Sequence, residues 1–198
     1  MVMRAKTVRL LPRRSRAAID GTGLETQYVS RYYRWRSGRP EWCREWPKLT
    51  VVCDLASHFW LAGHVCMGPC MDSPQLKPAV SQAVAHQAID ELLGDKGYDA
   101  EHNHRLCREE LGIPSTLIGV RKRSSLSRTQ RWPDTPYRRE MKRRIPRSDF
   151  GQRWQVESAI SRNKRRLGTA LRARRWPMQQ WECYLRVLTH NLMLLAGT

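Results

Sequence analysis

The chain is poor in acid: Asp and Glu total 18 against 36 Lys and Arg, a formal net charge of +18. That imbalance argues against an ordinary metabolic enzyme for small neutral substrates. It points to a polyanion, nucleic acid ahead of an anionic membrane surface. No apolar run approaches the roughly 20 residues that a membrane-spanning helix needs. Met1 to Leu11 is basic but lacks a continuous apolar core, so it does not read as a secretory leader. There is no internal repeat and no low-complexity tract. The six cysteines, at 43, 53, 66, 70, 107 and 183, show no disulfide framework. Reduced, mostly buried thiols in a cytoplasmic protein are the expectation. His64, Cys66 and Cys70 form a loose H-x-C-x3-C string, but no second pair follows at zinc-finger distance.

What remains is a globular balance, with 40% apolar and 27% charged residues. The length of 198 residues suits one sizeable domain. The charge is uneven. Residues 1–40 carry a net +8, residues 41–120 a net −5, residues 121–175 a net +15, and residues 176–198 are neutral. The basic stretch from Arg121 to Arg175 also holds Trp132, Tyr137, Phe150 and Trp154, which an unfolded basic tail would lack. It reads as a folded basic face.

Residues 1–15 read as a basic, turn-like tail. Ala17-Ala18-Ile19 reads as a strand stopped by Asp20 and a Gly-Thr-Gly turn. Residues 30–47 read as an irregular loop. Leu49–Cys53 and Phe59–Cys66 read as a hairpin. Apolar positions from Leu76 to Leu93 recur at helical spacing, ahead of Asp95-Lys96-Gly97-Tyr98-Asp99. A shorter helix, Ala100 to Leu111, and a strand, Ser115 to Val120, follow. Residues 121–148 read as a basic loop insertion with a short helix near 137–144. Asp149 is the expected N-cap of a long helix from Phe150 to Leu167, closed by Gly168. On the last helix, from Trp176, the stripe Trp181, Leu185, Leu188, Leu192 and Leu195 reads as core. Strands, then alternating helix and strand, then helices make an α/β layered domain.

Three acids stand out: Asp20 and Asp95 before glycine turns, and Glu157 inside the most basic helix. Three converging carboxylates would repel one another, a cost that a divalent cation removes. An all-oxygen set suits Mg²⁺ or Mn²⁺, and two such ions can drive phosphodiester chemistry. On a helix Arg153, Glu157 and Lys164 share one side, with Arg162, Arg165 and Arg166 widening the basic surface. Such groups hold phosphate without reading sequence. Spacing alone does not show that the acids meet. Asp20 and Asp95 would also serve as plain turn residues, and Glu157 as an exposed partner of Arg153. A phosphatase reading of Asp20-Gly-Thr fails because position 18, where that chemistry needs another Asp, is Ala18. A basic structural nucleoprotein explains the charge but not the spacing of Arg153, Glu157 and Lys164.

The motifs Asp20-Gly-Thr-Gly-Leu and Asp95-Lys-Gly-Tyr-Asp99 resemble those of the DDE transposases of bacterial insertion sequences. So does the run from Phe150 through Arg153 and Glu157 to Lys164-Arg-Arg. The family signature spaces Tyr, Arg, Glu and Lys by two, three and six residues; this chain matches at Arg153, Glu157 and Lys164 and has Phe150 for the Tyr. The closing His190-Asn191-Leu-Met-Leu is also similar. The resemblance implies a ribonuclease-H-like mixed sheet flanked by helices, with residues 16–198 as the catalytic domain. It implies Asp20, Asp95 and Glu157 as catalytic ligands of Mg²⁺ or Mn²⁺, in a pair of ions. Arg153, Arg162, Lys164, Arg165 and Arg166 are then DNA contacts. Cleavage and strand transfer at element ends by a homo-oligomer on DNA, in the cytoplasm and at the nucleoid, are implied too. Only 19 residues precede Asp20, too few for a separate helix-turn-helix. The expectation is therefore a partner of an upstream reading-frame product, or a truncated DNA-binding remnant without catalysis.

Overall fold

A computed structural model describes residues 1–26, 45–121 and 133–197. Most of the loop expected at 30–47, and residues 122–132 of the basic insertion, lie outside them. The main sheet has five strands in the order β4-β3-β1-β5-β6. They are β1 Ser15–Gly23, β3 Trp46–Asp54, β4 Trp60–Gly68, β5 Ile89–Gly94 and β6 Ser115–Ile118. A separate parallel pair joins β2 Glu25–Thr26 to β7 Ala170–Leu171. The helices are α1 Val2–Thr7, α2 Ser73–Val84, α3 Glu101–Arg105, α4 Pro136–Arg144, α5 Arg147–Gly151, α6 Trp154–Leu167 and α7 Trp176–Ala196. A π-turn, Leu106–Glu110, extends α3.

β3 pairs antiparallel with both β4 and β1. β1, β5 and β6 run parallel; the α2 crossover joins β4 to β5 and the α3 segment joins β5 to β6. The expected hairpin forms because Asp54 Oδ2 accepts Ser57 N and Oγ at 2.9 and 2.7 Å. Successive strand residues face opposite sides of the sheet. One face packs Ile19, Leu92 and Ile118 against Leu76 and Val80 of α2, with Ala5 and Leu11 from the chain start. The other packs Ala18, Val51 and Leu93 against Val156, Ala159 and Ile160 of α6 and Cys183 of α7. This mixed sheet flanked by helices is the ribonuclease-H-like arrangement expected.

Apart from β1, which runs on through Asp20 to Gly23 paired with β3 where a stop at Asp20 and a Gly-Thr-Gly turn are expected, four local expectations give way. The helix read over 76–93 ends at Val84, and Ile89–Gly94 is a strand. Leu92 and Leu93 are both fully buried, one on each face of the sheet. A parallel strand covered on both sides loses its alternation, so its apolar run extends the helical pattern before it. The chain start holds a helix with Ala5 buried, where a turn-like segment was read. Asp149 lies within α5, accepting from Arg16 Nη2 at 3.2 Å, and does not cap the long helix. Tight i→i−3 bonds at Gln152 and Arg153 separate α5 from α6.

The fourth concerns α7. Trp181, Leu185, Leu188 and Leu192 of the expected core stripe are 40–63% exposed. The buried face holds Gln179, Cys183, Arg186, His190 and Asn191. The reason is the edge strand β4, whose outer backbone groups lack a neighbouring strand. Asn191 accepts from Trp60 N at 2.9 Å and donates to Trp60 O at 2.8 Å, as a paired strand would. His190 stacks on the Trp60 indole at 4.2 Å and its Nε2 lies 2.9 Å from His58 O. Arg186 donates to Gly168 O and Ala170 O at 2.5 and 2.6 Å. Polar side chains face inward because the surface they cover is backbone.

α4 docks on α3 by charge. Arg138 forks onto the buried Asp99 carboxylate, Nε to Oδ1 at 2.7 Å and Nη2 to Oδ2 at 2.8 Å. Glu101 accepts the Tyr137 and Arg138 backbone N–H groups at the α4 N-terminus. Beneath lies His104, wholly buried, its Nδ1 2.7 Å from Thr116 Oγ1. Burial first, and then the Arg108 guanidinium, lower its pKa from 6.5 to about 4. A histidine held neutral in the fold contributes stability above its unfolded pKa and loses it as pH falls toward the folded one. In urea titrations between pH 6.5 and 4, the wild type should therefore lose on the order of 3 kcal/mol more than a His104→Gln variant.

Candidate active site

Register brings the two aspartates together. β1 and β5 run parallel with Ile19 opposite Gly94, so Asp20, within β1, and Asp95, the first residue past β5, stand side by side on neighbouring strands. Alternation puts Asp20 on the face of Ala18, the face that α6 covers. The Gly21 N–H donates to Asp20 Oδ1 at 2.8 Å. Asp95 caps the short 3₁₀ turn Lys96–Tyr98 by accepting from Gly97 N. Gly97 is required by space: a β-carbon there would stand 2.8 Å from Asp95 Oδ1 and 2.5 Å from Asp72 Oδ2.

Glu157 comes from the first turn of α6. It is half-exposed and bonded to Arg153, Nη2 to Oε1 at 2.6 Å. An open cleft of about 490 Å³ runs between the end of β1 and α6, lined by Asp20, Thr22, Glu157, Ser161, Lys164 and Arg165 among others. Lys164 Nζ donates to Gly23 O at 3.0 Å across it. Arg165 Nη1 donates to Ser161 Oγ at 2.7 Å. Arg162 and Arg166 do not line it. Arg162 meets His58 Nδ1 at 3.0 Å, and Arg166 reaches the Met193 sulfur on α7. Phe150, which stands where the family signature has Tyr, lays its ring edge over Gly119 beside Lys96.

The acids feel one another. Burial pushes the Asp20 carboxyl up to about 6. The Gly21 N–H and Arg153 pull it down, while Asp95 and Glu157 push it further up. An all-oxygen, mutually repelling set of this kind fits a hard divalent cation by its chemistry. It is not a finished cage: among the described residues no three of His, Cys, Asp or Glu stand close enough to grip one ion. Glu157 stands at the rim, half-exposed and paired with the Arg153 guanidinium. The string His64, Cys66 and Cys70 forms no such cluster either. Among the described cysteines, 53, 107 and 183 are buried, and all five are free thiols.

The sequence reading missed two acids of this region. Asp72 sits against Gly21 and Gly97 and pairs with Lys48, Oδ1 to Nζ at 2.5 Å. Asp99, the last residue of the second acidic motif, is consumed by Arg138 and by the Arg121 N–H. Asp72 gave no signal beyond a helix-start position. Asp99 was in view, but its partner lies 39 residues away.

The electrostatic picture has a direct check. In the cation-free chain, the Asp20 carboxyl carbon followed by NMR should titrate near pH 6, and Glu157→Gln should move that midpoint down. An unchanged midpoint would mean that the two acids do not share a field.

No curated protein matches the chain. Residues 11–192 match the family described as the transposase DDE domain. No described helix is long and apolar enough to cross a membrane. With its two aspartates side by side on neighbouring strands, a glutamate on a basic helix that lines the same cleft as Asp20, and this match over nearly its whole length, the chain belongs to the transposase DDE domain family.

Proposed function

We propose that the chain is the catalytic domain of a metal-dependent DNA transposase, cutting phosphodiester bonds and joining the freed 3′-hydroxyl to target DNA at insertion-sequence ends. The observation that carries this reading is the β1–β5 register that sets Asp20 beside Asp95, with Asp20 and Glu157 lining one cleft together with Lys164 and Arg165. Asp20, Asp95 and Glu157 would hold two Mg²⁺ or Mn²⁺ ions. When bound, such ions activate an attacking water or hydroxyl and stabilise the leaving oxygen. Asp20 would hold them from within β1 and Asp95 from just past the end of β5. Glu157 would join them by giving up its pair with Arg153, leaving that guanidinium for a phosphate. Lys164 and Arg165 line the same cleft and hold the backbone of the strand being cut. Arg162 and Arg166, on the flank, contact DNA outside the cleft. Assembly as a homo-oligomer on paired ends, and pairing with an upstream reading-frame product, belong to the same proposal.

A second reading, a DNA-binding remnant without catalysis, is favoured by the Glu157–Arg153 pair and by Phe150 in place of Tyr. Nicking of supercoiled plasmid carrying the DNA that flanks the gene separates the two. The first reading expects Mg²⁺- or Mn²⁺-dependent nicks that fall by at least about 100-fold in Glu157→Gln, with DNA binding retained. Salt-sensitive binding with no nicks under either ion supports the remnant. Full activity in Glu157→Gln contradicts the assignment of this carboxylate.

A further inference from the structure

α7 is built inside out. A surface helix ordinarily turns its apolar stripe to the core and its polar side to water. Here the inner side holds Gln179, Cys183, Arg186 and His190. The outer side presents Met178, Trp181, Leu185, Leu188 and Leu192, each 40–63% exposed. At 3.6 residues per turn those five fall within about a quarter of the helix circumference, and Tyr184 stands beside them. Together they expose on the order of 600 Å² of apolar surface, the upper end of what the largest patch of a monomer shows. The stripe carries no charge. The two charged residues of α7, Glu182 and Arg186, are taken up elsewhere: Glu182 accepts the Arg172 and Ala173 N–H groups, and Arg186 donates to Gly168 O and Ala170 O.

Charge and spacing together point to the occupant. The chain carries +18, so two copies repel wherever their basic surfaces meet. The outer side of α7 admits a second copy without that cost, whereas an acidic partner would be drawn to the basic faces instead. No residue of α7 lines the cleft that holds Asp20 and Glu157, so a pair formed here leaves both clefts open. The steps from 181 to 185, 188 and 192 are four, three and four, the spacing of a helix–helix seam. That spacing reads the same in both directions. Two antiparallel copies of α7 therefore set Trp181 against the partner's Leu192, and Leu185 against the partner's Leu188. The antiparallel sense also lays Arg175, at the start of each helix, toward the partner's C-terminal carbonyls; a parallel pair would bring the two arginines together. We infer that the outer stripe of α7 is the surface on which two copies of this chain pair, antiparallel about a two-fold axis. The pair buries on the order of 1,200 Å², the lower end of a specific interface, so it forms with rising concentration. The inference stands on α7 alone and holds whether or not the chain cuts DNA.

The test is sedimentation velocity on the full chain, freed of nucleic acid and of divalent cations, over a concentration series. The wild type should pass from a monomer of 23.2 kDa to twice that mass. Leu185→Glu changes an exposed position, so the fold should survive it, which circular dichroism checks. It should raise the dimer dissociation constant at least about 100-fold, because each pair then buries two carboxylates without partners. Adding Leu188→Lys sets an ammonium across from each carboxylate in the antiparallel register and should recover at least about 10-fold of that loss. A variant whose helix had merely been damaged would show no such recovery. A wild-type chain that stays monomeric at every concentration overturns the inference and leaves the stripe to a different protein. A dimer that Leu185→Glu does not weaken, or no recovery in the double variant, overturns it as well. The readout uses neither cation nor DNA, so its failure leaves the catalytic reading untouched.

Discussion

The parallel pairing of β1 with β5 is the constraint on which the rest depends. With Ile19 opposite Gly94, two carboxylates must stand side by side on neighbouring strands at one end of the sheet. Both strands are buried on both faces, so neither can slip without turning Ala18, Ile19, Leu92 and Leu93 out of their clusters. Losing one buried leucine from such a core costs about 2–5 kcal/mol. The sheet thus holds in place a juxtaposition that electrostatics opposes, and Asp20 shows the opposition as a carboxyl pushed up to about 6. Gly97 lets the backbone turn directly after Asp95, and Gly21, still paired with Thr50 in β1, leaves room for the Lys48–Asp72 pair beside it.

The charge surplus is organised around this site. The acidic middle of the chain is largely committed to internal pairs. Asp99 binds Arg138, Asp90 binds Arg14, Glu91 binds Arg16 and Asp72 binds Lys48. The Asp99–Arg138 pair links the second acidic motif to the basic helix α4, so the loop carrying Asp95 and that helix are one structural unit. Lys164 and Arg165 of α6 stay on the cleft wall with Glu157. Glu157 alone of the three acids rides on a helix rim, and its partner Arg153 can find another anion.

Where local chemistry marks a position, the sequence singles it out. Asp20 and Asp95 stand out because each is an acid before glycines, and the hairpin at Asp54–His58 because its turn residues bond their own backbone. Glu157 shares a helix side with Lys164 through spacing alone. Long-range features left no such mark. Leu92 and Leu93 fit a helix as well as a doubly covered strand. Asn191 and His190 point inward only because β4 is an edge, which nothing near them in the chain reveals. Asp72 looks like a cap until Lys48, 24 residues away, is placed beside it.

The most direct measurement is a crystal structure of the chain soaked with Mn²⁺, located by its anomalous scattering. The account predicts a manganese peak about 2.1 Å from carboxylate oxygens of both Asp20 and Asp95, with Glu157 turned away from Arg153 toward the metal. A crystal saturated with Mn²⁺ that shows no peak between those two aspartates would contradict it.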